Sequence, residues 1–486
     1  MKGTIAALLL ALLASGCGGG NSSPSGPGSG GPAPTPSTSE EWTWISGGNT
    51  VPAGACQPGI YGTQGVAGTT NFPGGRQDAV SWIGSNGNLW LFGGQSCGST
   101  GSVGLNDLWD FNVSGKTWTW VSGSSEANQC GNYGAEGVAS PSNVPGNRMS
   151  ATGSAGGSGN FWLFGGFEYC GGTYGYVNEL WKFSPADNEW TWISGSMLWQ
   201  ATSNTFVAGC SPGVYGTQGV PAAGNVPGGR EGAVSWIDSN GNFWLFGGYG
   251  CNYASGVTAN LNDLWEYNPT TKTWTWISGA NSGFAVGVYG IQGAASTANV
   301  PGARQGAVSW TDSSGNLWLF GGSGQDSTGA QGVLNDLWEF NPTAKTWTWV
   351  SGSNTGNAVS VYGTEGIASA ANVPGARYEA VSWIDADGNL WLFGGGYPPR
   401  VTNYSNDLWK FSPSTKTWTW VSGANTPNAV GTYGTQGAPG ATDVPGARAS
   451  AVSWADASGN LWLFGGYGFD STGEQGYLND LWRYQP

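Results

Sequence analysis

The groups with the clearest chemical capacity are six arginines, Arg76, Arg148, Arg230, Arg304, Arg377 and Arg448, recurring 71 to 82 residues apart. Each is followed by one acid in a matching position: Asp107, Glu179, Asp263, Asp336, Asp407 or Asp480. A guanidinium presents a planar fork of donors that a carboxylate accepts two at a time. The one-to-one match points to six structural ion pairs; the sharper alternative is an arginine ring that binds a carboxylate-bearing ligand. Asp78, Glu231 and Glu379 stand one or two residues after an arginine of this series. Two such carboxylates can divide general acid and base roles in sugar chemistry, and the sequence leaves their separation open.

Composition narrows the remaining chemistry. The chain has no histidine, which removes Ser-His-Asp and Cys-His catalysis and every imidazole metal site. Asp238-Ser239-Asn240-Gly241 and Asp385-Ala386-Asp387-Gly388 read as hairpin turns, because the twelve-residue calcium pattern is absent. Asp326-Ser327-Thr328-Gly329 and Asp470-Ser471-Thr472-Gly473 fall in loops where calcium is the alternative. No metal and no cofactor is assigned. The net charge of −14, with the arginines dispersed along the chain, speaks against nucleic acid as a partner.

Cysteines occur in a coordinated pattern. Cys56, Cys130 and Cys210 open the first three repeats, and Cys97, Cys170 and Cys251 follow the Gly-Gly pair of the same repeats. Later repeats lack both positions, so the expected bridges are Cys56–Cys97, Cys130–Cys170 and Cys210–Cys251.

The elements that must position these residues are short strands. Gly is 88 of 486 residues and Trp is 30, and Gly-punctuated, aromatic-rich sequence without helical periodicity reads as all-β. A typical unit runs Val308-Ser309-Trp310, turn, Leu317-Trp318-Leu319-Phe320-Gly321-Gly322, loop, Leu334-Asn335-Asp336-Leu337-Trp338, turn, Thr346-Trp347-Thr348-Trp349. That is four strands, apolar on both faces, as sheets packed in a ring require. Three strand types occur six times in order, but the fourth closes only five units. Its sixth copy, Trp42-Thr43-Trp44-Ile45-Ser46, precedes all the rest. The expected fold is therefore a six-bladed β-propeller closed by its N-terminal strand, which leaves no exposed sheet edge. A long segment before each unit also repeats, as Tyr61-Gly62-Thr63-Gln64-Gly65 and at Tyr133, Tyr215, Tyr289, Tyr362 and Tyr433. Repetition favours self-packing over function for these loops.

The Gly-Gly doublet, the Asn-Asp-Leu-Trp strand and the Trp near each repeat end resemble the kelch repeat. The resemblance spans Trp42 to Pro486, with units longer than the usual kelch length. It implies a propeller akin to the galactose oxidase central domain, to kelch sugar mutarotases such as N-acetylneuraminate epimerase, and to peptide-binding kelch domains. Copper oxidase activity is disfavoured, since that chemistry uses histidine.

Before the repeats, Lys2 and an apolar run to Leu13 lead to Ala14-Ser15-Gly16-Cys17, which resembles a bacterial lipoprotein signal. By that resemblance residues 1–17 are the signal region and Cys17 is acylated. Residues 18–39 are a Gly/Ser/Pro tether and residues 40–486 the propeller. Gly18, where an Asp would mark inner-membrane retention, favours the outer membrane. The membrane contact expected is through the lipid alone, and the propeller is expected to be a monomer.

A specific site should use residues that break the repeat. The breaks are Trp199 and Phe206, Tyr169 and Tyr174, and Tyr397, Arg400 and Tyr404, all in long loops on one face. Exposed aromatics and arginine dominate binding energies. The first expectation is a noncatalytic envelope binding protein for a glycan or a protein partner. The alternatives are a kelch-mutarotase-like sugar enzyme using residues such as Glu231 and Glu379, and a scaffold of an envelope complex.

Overall fold

The computed structural model describes residues 40–52, 56–98, 101–196, 209–251, 258–398 and 402–486. Strands and turns account for these residues, with no helix among them. In the fourth unit Val308–Thr311, Leu317–Gln325, Gln331–Asn341 and Thr346–Ser351 pair antiparallel in chain order. The same four-strand meander recurs in the other units. In the last unit the outer strand is Glu41–Ser46, antiparallel to Leu481–Gln485 with Trp42 opposite Tyr484.

Alternation sends side chains to both faces of each meander. Leu317 and Leu319 pack with Trp244 and Phe246 of the preceding unit, while Trp318 and Phe320 pack with Leu390 and Leu392 of the next. One such cluster lies between each neighbouring pair of units, and one joins Trp454, Trp462 and Phe464 of the last unit to Leu89 and Leu91 of the first. The buried tryptophans are therefore packing residues. The indole of Trp454 also donates to the Trp90 carbonyl, 3.0 Å away.

The inner ends of the units are joined by backbone. Asp78, Ser150, Gly232, Gly306, Glu379 and Ser450 occupy equivalent positions, all with φ between 52° and 62°. The N–H of each donates to the carbonyl of its counterpart in the preceding unit at 2.7–3.0 Å, and Asp78 donates to Ser450. Four of the six are not glycine, so the backbone accepts a left-handed conformation, which costs roughly 1 kcal/mol or more per residue, to complete this circle of bonds.

The long repeated segments fold onto the outer edges. Gly65 and Gly68 donate to the Trp120 and Trp118 carbonyls of their own unit's last strand, and Gly293 and Ser296 do the same at Trp349 and Trp347. In the last unit Gly437 and Gly440 donate to Trp44 and Trp42 of the N-terminal strand. These segments occupy donors and acceptors that would otherwise be a free strand edge, which is the self-packing expected from their repetition.

Candidate functional site

All six arginines are at most 3 % exposed, and each meets its expected acid within 3.1 Å. In the fourth unit Arg304 donates through Nη1 and Nη2 to the two oxygens of Asp336, which also accepts from the Tyr289 hydroxyl and the Trp338 indole. Arg, acid, Tyr and Trp form this cluster in every unit, the tyrosine arriving from the long segment. Burial, then the neighbouring carboxylate, raises each phenol well above its ordinary range, so it remains a proton donor. The arginines are thus buried against their acids, which supports the structural ion pairs over a ligand-binding arginine ring.

The second unit departs from this pattern. Glu179 replaces aspartate, its contact to Arg148 lengthens to 3.1 Å, and a further acid, Glu168, lies beside it at 3 % exposure. Burial pushes Glu168 up to about 7, with Arg148 pulling it down. Sequence reasoning overlooked Glu168; the signal was an acid where other units carry Ser96, Gly250 or Gly324.

At the inner ends, Asp78, Glu231 and Glu379 share one cavity of about 190 Å³ with Ser150, Gln305 and Ser450. The Ser450 hydroxyl donates to Glu379 Oε2 at 2.8 Å, and Gln77 Nε2 donates to Asp78 Oδ2 at 2.8 Å. Burial, then Asp78, pushes Glu379 up to about 8 and Glu231 up to about 7; Asp78 is raised by burial. Among the described residues the cavity lining contains no Lys or Arg, so no cation offsets the burial that favours the protonated forms. Among the described residues no group of three or more Cys, Asp or Glu has metal-binding geometry.

The loop aspartates are occupied by their own backbone. Asp326 Oδ1 accepts from Thr328 and Ala330, and Oδ2 from Gly356 of the next segment. Asp470 accepts likewise from Thr472, Glu474 and Val51. Both oxygens of each aspartate accept backbone N–H donors, which holds the carboxylates in place. The Asp238 and Asp385 turns bind their own backbone and the Trp244 and Trp391 indoles.

On the long-loop face several of the long segments meet the hairpin of the unit they precede. The expected disulfides Cys56–Cys97, Cys130–Cys170 and Cys210–Cys251 do this in the first three units. Val286 Cγ2 lies near Gly329 in the fourth and Val430 Cγ1 near Gly473 in the sixth, with the two valines 45 % and 48 % exposed. In the fifth unit Val359 holds the equivalent position and is 81 % exposed. A cavity of about 690 Å³ opens there, lined by Val359, Tyr378, Tyr397, Gln331, Asn357 and Asn425 among others. The Tyr378 ring lies over Gly396, where an added Cβ would fall 2.5 Å from it.

Other site residues read from sequence are scattered. Tyr169 is 38 % exposed and stacks on Tyr174 with ring centroids 6.3 Å apart. Tyr404, expected as an exposed contact, is buried against Tyr467 and Phe469, because its backbone is pinned by Asn428 and its ring fills the space beneath the loops. Cys17, Trp199, Phe206 and Arg400 lie outside the described residues. A second large concavity, about 830 Å³, lies on the opposite face among the short turns, lined by Asn160, Lys182, Asn240 and Lys272 among others. No protein-family model and no curated protein matches the chain.

Proposed function

We propose that residues 40–486 are a closed six-bladed propeller of the kelch type, and that the protein is a noncatalytic binding protein of the bacterial envelope, anchored by lipid on Cys17. The circle of six inner hydrogen bonds, the pairing of Glu41–Ser46 with Leu481–Gln485, and the Trp454–Trp90 bond support closure. The signal-like start and the three disulfides suit an oxidising compartment.

The binding reading rests on one observation. In the fifth unit Val359 is 81 % exposed beside a ligand-sized cavity of about 690 Å³. The mutarotase-like reading asks for arginine beside the axial carboxylates, whereas all six repeat arginines are tied to other acids. The test is capture of envelope glycans and proteins by the full chain, compared with Val359→Glu in the cavity and Lys272→Glu on the opposite face. Loss of capture with Val359→Glu alone supports the reading. Loss with Lys272→Glu alone, or with neither, overturns it.

A further inference from the structure

We infer that the sixth unit holds a calcium site, built by the Asp443 carboxylate with the backbone carbonyls of Trp42 and Ala438. The inference is independent of the binding reading above and starts from a break in the repeat. Asn71, Asn143, Asn225, Asn299 and Asn372 occupy one position in the long segments, and the sixth segment has Asp443 there. Each asparagine uses its amide nitrogen as a bridge. Asn299 Nδ2 donates to the Ala294 carbonyl at 3.0 Å and to the Trp347 carbonyl at 3.1 Å. The other four make the same pair of bonds at 2.9–3.4 Å. The first carbonyl belongs to the segment and the second to the outer strand of the same unit, so the amide latches one to the other.

In the sixth unit the corresponding carbonyls are those of Ala438, five residues before Asp443, and of Trp42 in the N-terminal strand, to which Gly440 donates. Asp443 Oδ1 lies against Gly434 as the asparagine Oδ1 lies against Gly62, Gly134, Gly216, Gly290 and Gly363. Oδ2 therefore takes the place of the amide nitrogen, and three oxygens face one another where a donor stood. Asp443 is 7 % exposed, and its Oδ2 is buried without a hydrogen-bond partner. An ionised carboxylate has acceptors only, and a charged acceptor left unmatched in the interior is costly.

A cation answers all three oxygens at once, whereas a proton on Asp443 serves one carbonyl. The surroundings favour the cation. Glu40, Glu41 and Glu365 line the same cavity of about 310 Å³ as Asp443 and Trp42. Burial raises the Asp443 carboxyl, the Gly434 N–H offsets part of the rise and Glu41 adds to it; a bound cation reverses such a rise. Carboxylate and carbonyl oxygens in an irregular arrangement suit calcium, which takes about six to eight oxygen ligands with water among them, while magnesium demands a regular octahedron. The ion would fasten the sixth segment to the closing strand as the amide does in the other five units.

The experiment follows calorimetric titration and thermal melting of the metal-stripped full chain with calcium, magnesium and sodium at matched ionic strength. Wild type, Asp443→Asn and Glu41→Gln are compared. The expected result is one calcium bound with a dissociation constant of about 0.1–1 mM, magnesium at least tenfold weaker, and a melting temperature raised by calcium. Asp443→Asn restores the amide of the other units, so it should fold, melt above calcium-free wild type and lose the calcium response. Glu41→Gln should weaken calcium severalfold. A calcium response kept intact in Asp443→Asn places the ion elsewhere, such as at the acids of the inner circle, and overturns the inference. An equal response to sodium overturns it as well. So does a wild type indifferent to calcium; a deficit against Asp443→Asn that then grows with rising pH would identify a proton on Asp443 in the ion's place.

Discussion

Replacing Glu379 by glutamine should make the protein more stable at alkaline pH and leave it nearly unchanged in mild acid. Glu379 sits at the inner circle with its carboxyl raised from 4.5 to about 8 by burial and by Asp78 and Glu231. A folded-state value above the unfolded one means that folding takes up protons between about pH 4.5 and 8. Stability contributed by the proton is present below that window and lost as pH climbs through it. At 1.36 kcal/mol per unit, a shift from 4.5 to about 8 corresponds to about 5 kcal/mol if Glu379 titrates alone. Charge shared with Asp78 and Glu231 reduces this, so about 2–5 kcal/mol is expected above pH 8 and under about 1 kcal/mol near pH 5. Glutamine cannot ionise and can still accept the Ser450 hydrogen bond. Urea unfolding of the oxidised full chain at pH 5 to 9 reads the difference between the wild type and Glu379→Gln. The gap should open with rising pH. A gap that stays constant from pH 5 to 9 would refute the placement of these acids in one low-dielectric cavity.

Further outcomes follow from the repeated clusters and the edges. Asp336→Ala leaves the Arg304 guanidinium buried without its acid and should cost about 3–5 kcal/mol, against about 1.5–3 kcal/mol for Tyr289→Phe, which removes one bond to a charged acceptor; denaturant midpoints of the two variants check the order. Reduction should loosen the long segments of the first three units, whose bridges close loops of 40 or 41 residues, each worth about 4 kcal/mol. Limited proteolysis should then cut near Cys56, Cys130 or Cys210 before any site in the last three units, and cleavage elsewhere first would contradict it. Deleting Glu41–Ser46 should uncover the edge of Leu481–Gln485 and lower the melting temperature of the whole protein; a truncated protein that melts like its parent would falsify closure by the N-terminal strand.

Much of this was legible from residue order alone, and for a definite reason. A repeat is a local pattern, and six copies state the same strand, turn and pairing instructions six times over. The matched arginines and acids, the joint presence of cysteines, and the displaced copy of the outer strand each predicted a contact that the structure contains. Tyr404 was misread because exposure depends on what lies above a loop, and Tyr467 and Phe469 cover it from the following unit. Glu168 was overlooked because one substitution in a hairpin carries no periodic signal.

The amino-acid sequence by itself determined the strand content, the unit boundaries, the ion-pair partners and the bridges. Those depend on side-chain period, turn chemistry and spacing, all readable along the chain. Only the tertiary structure decided what converges. Asp78, Glu231 and Glu379 lie up to 301 residues apart in the chain, yet they share one cavity because equivalent positions of successive units meet at the inner circle. The recess of the fifth unit was likewise decided there. Val359 in the sequence looks like Val286 and Val430, and only the fold leaves it 81 % exposed beside a cavity of about 690 Å³.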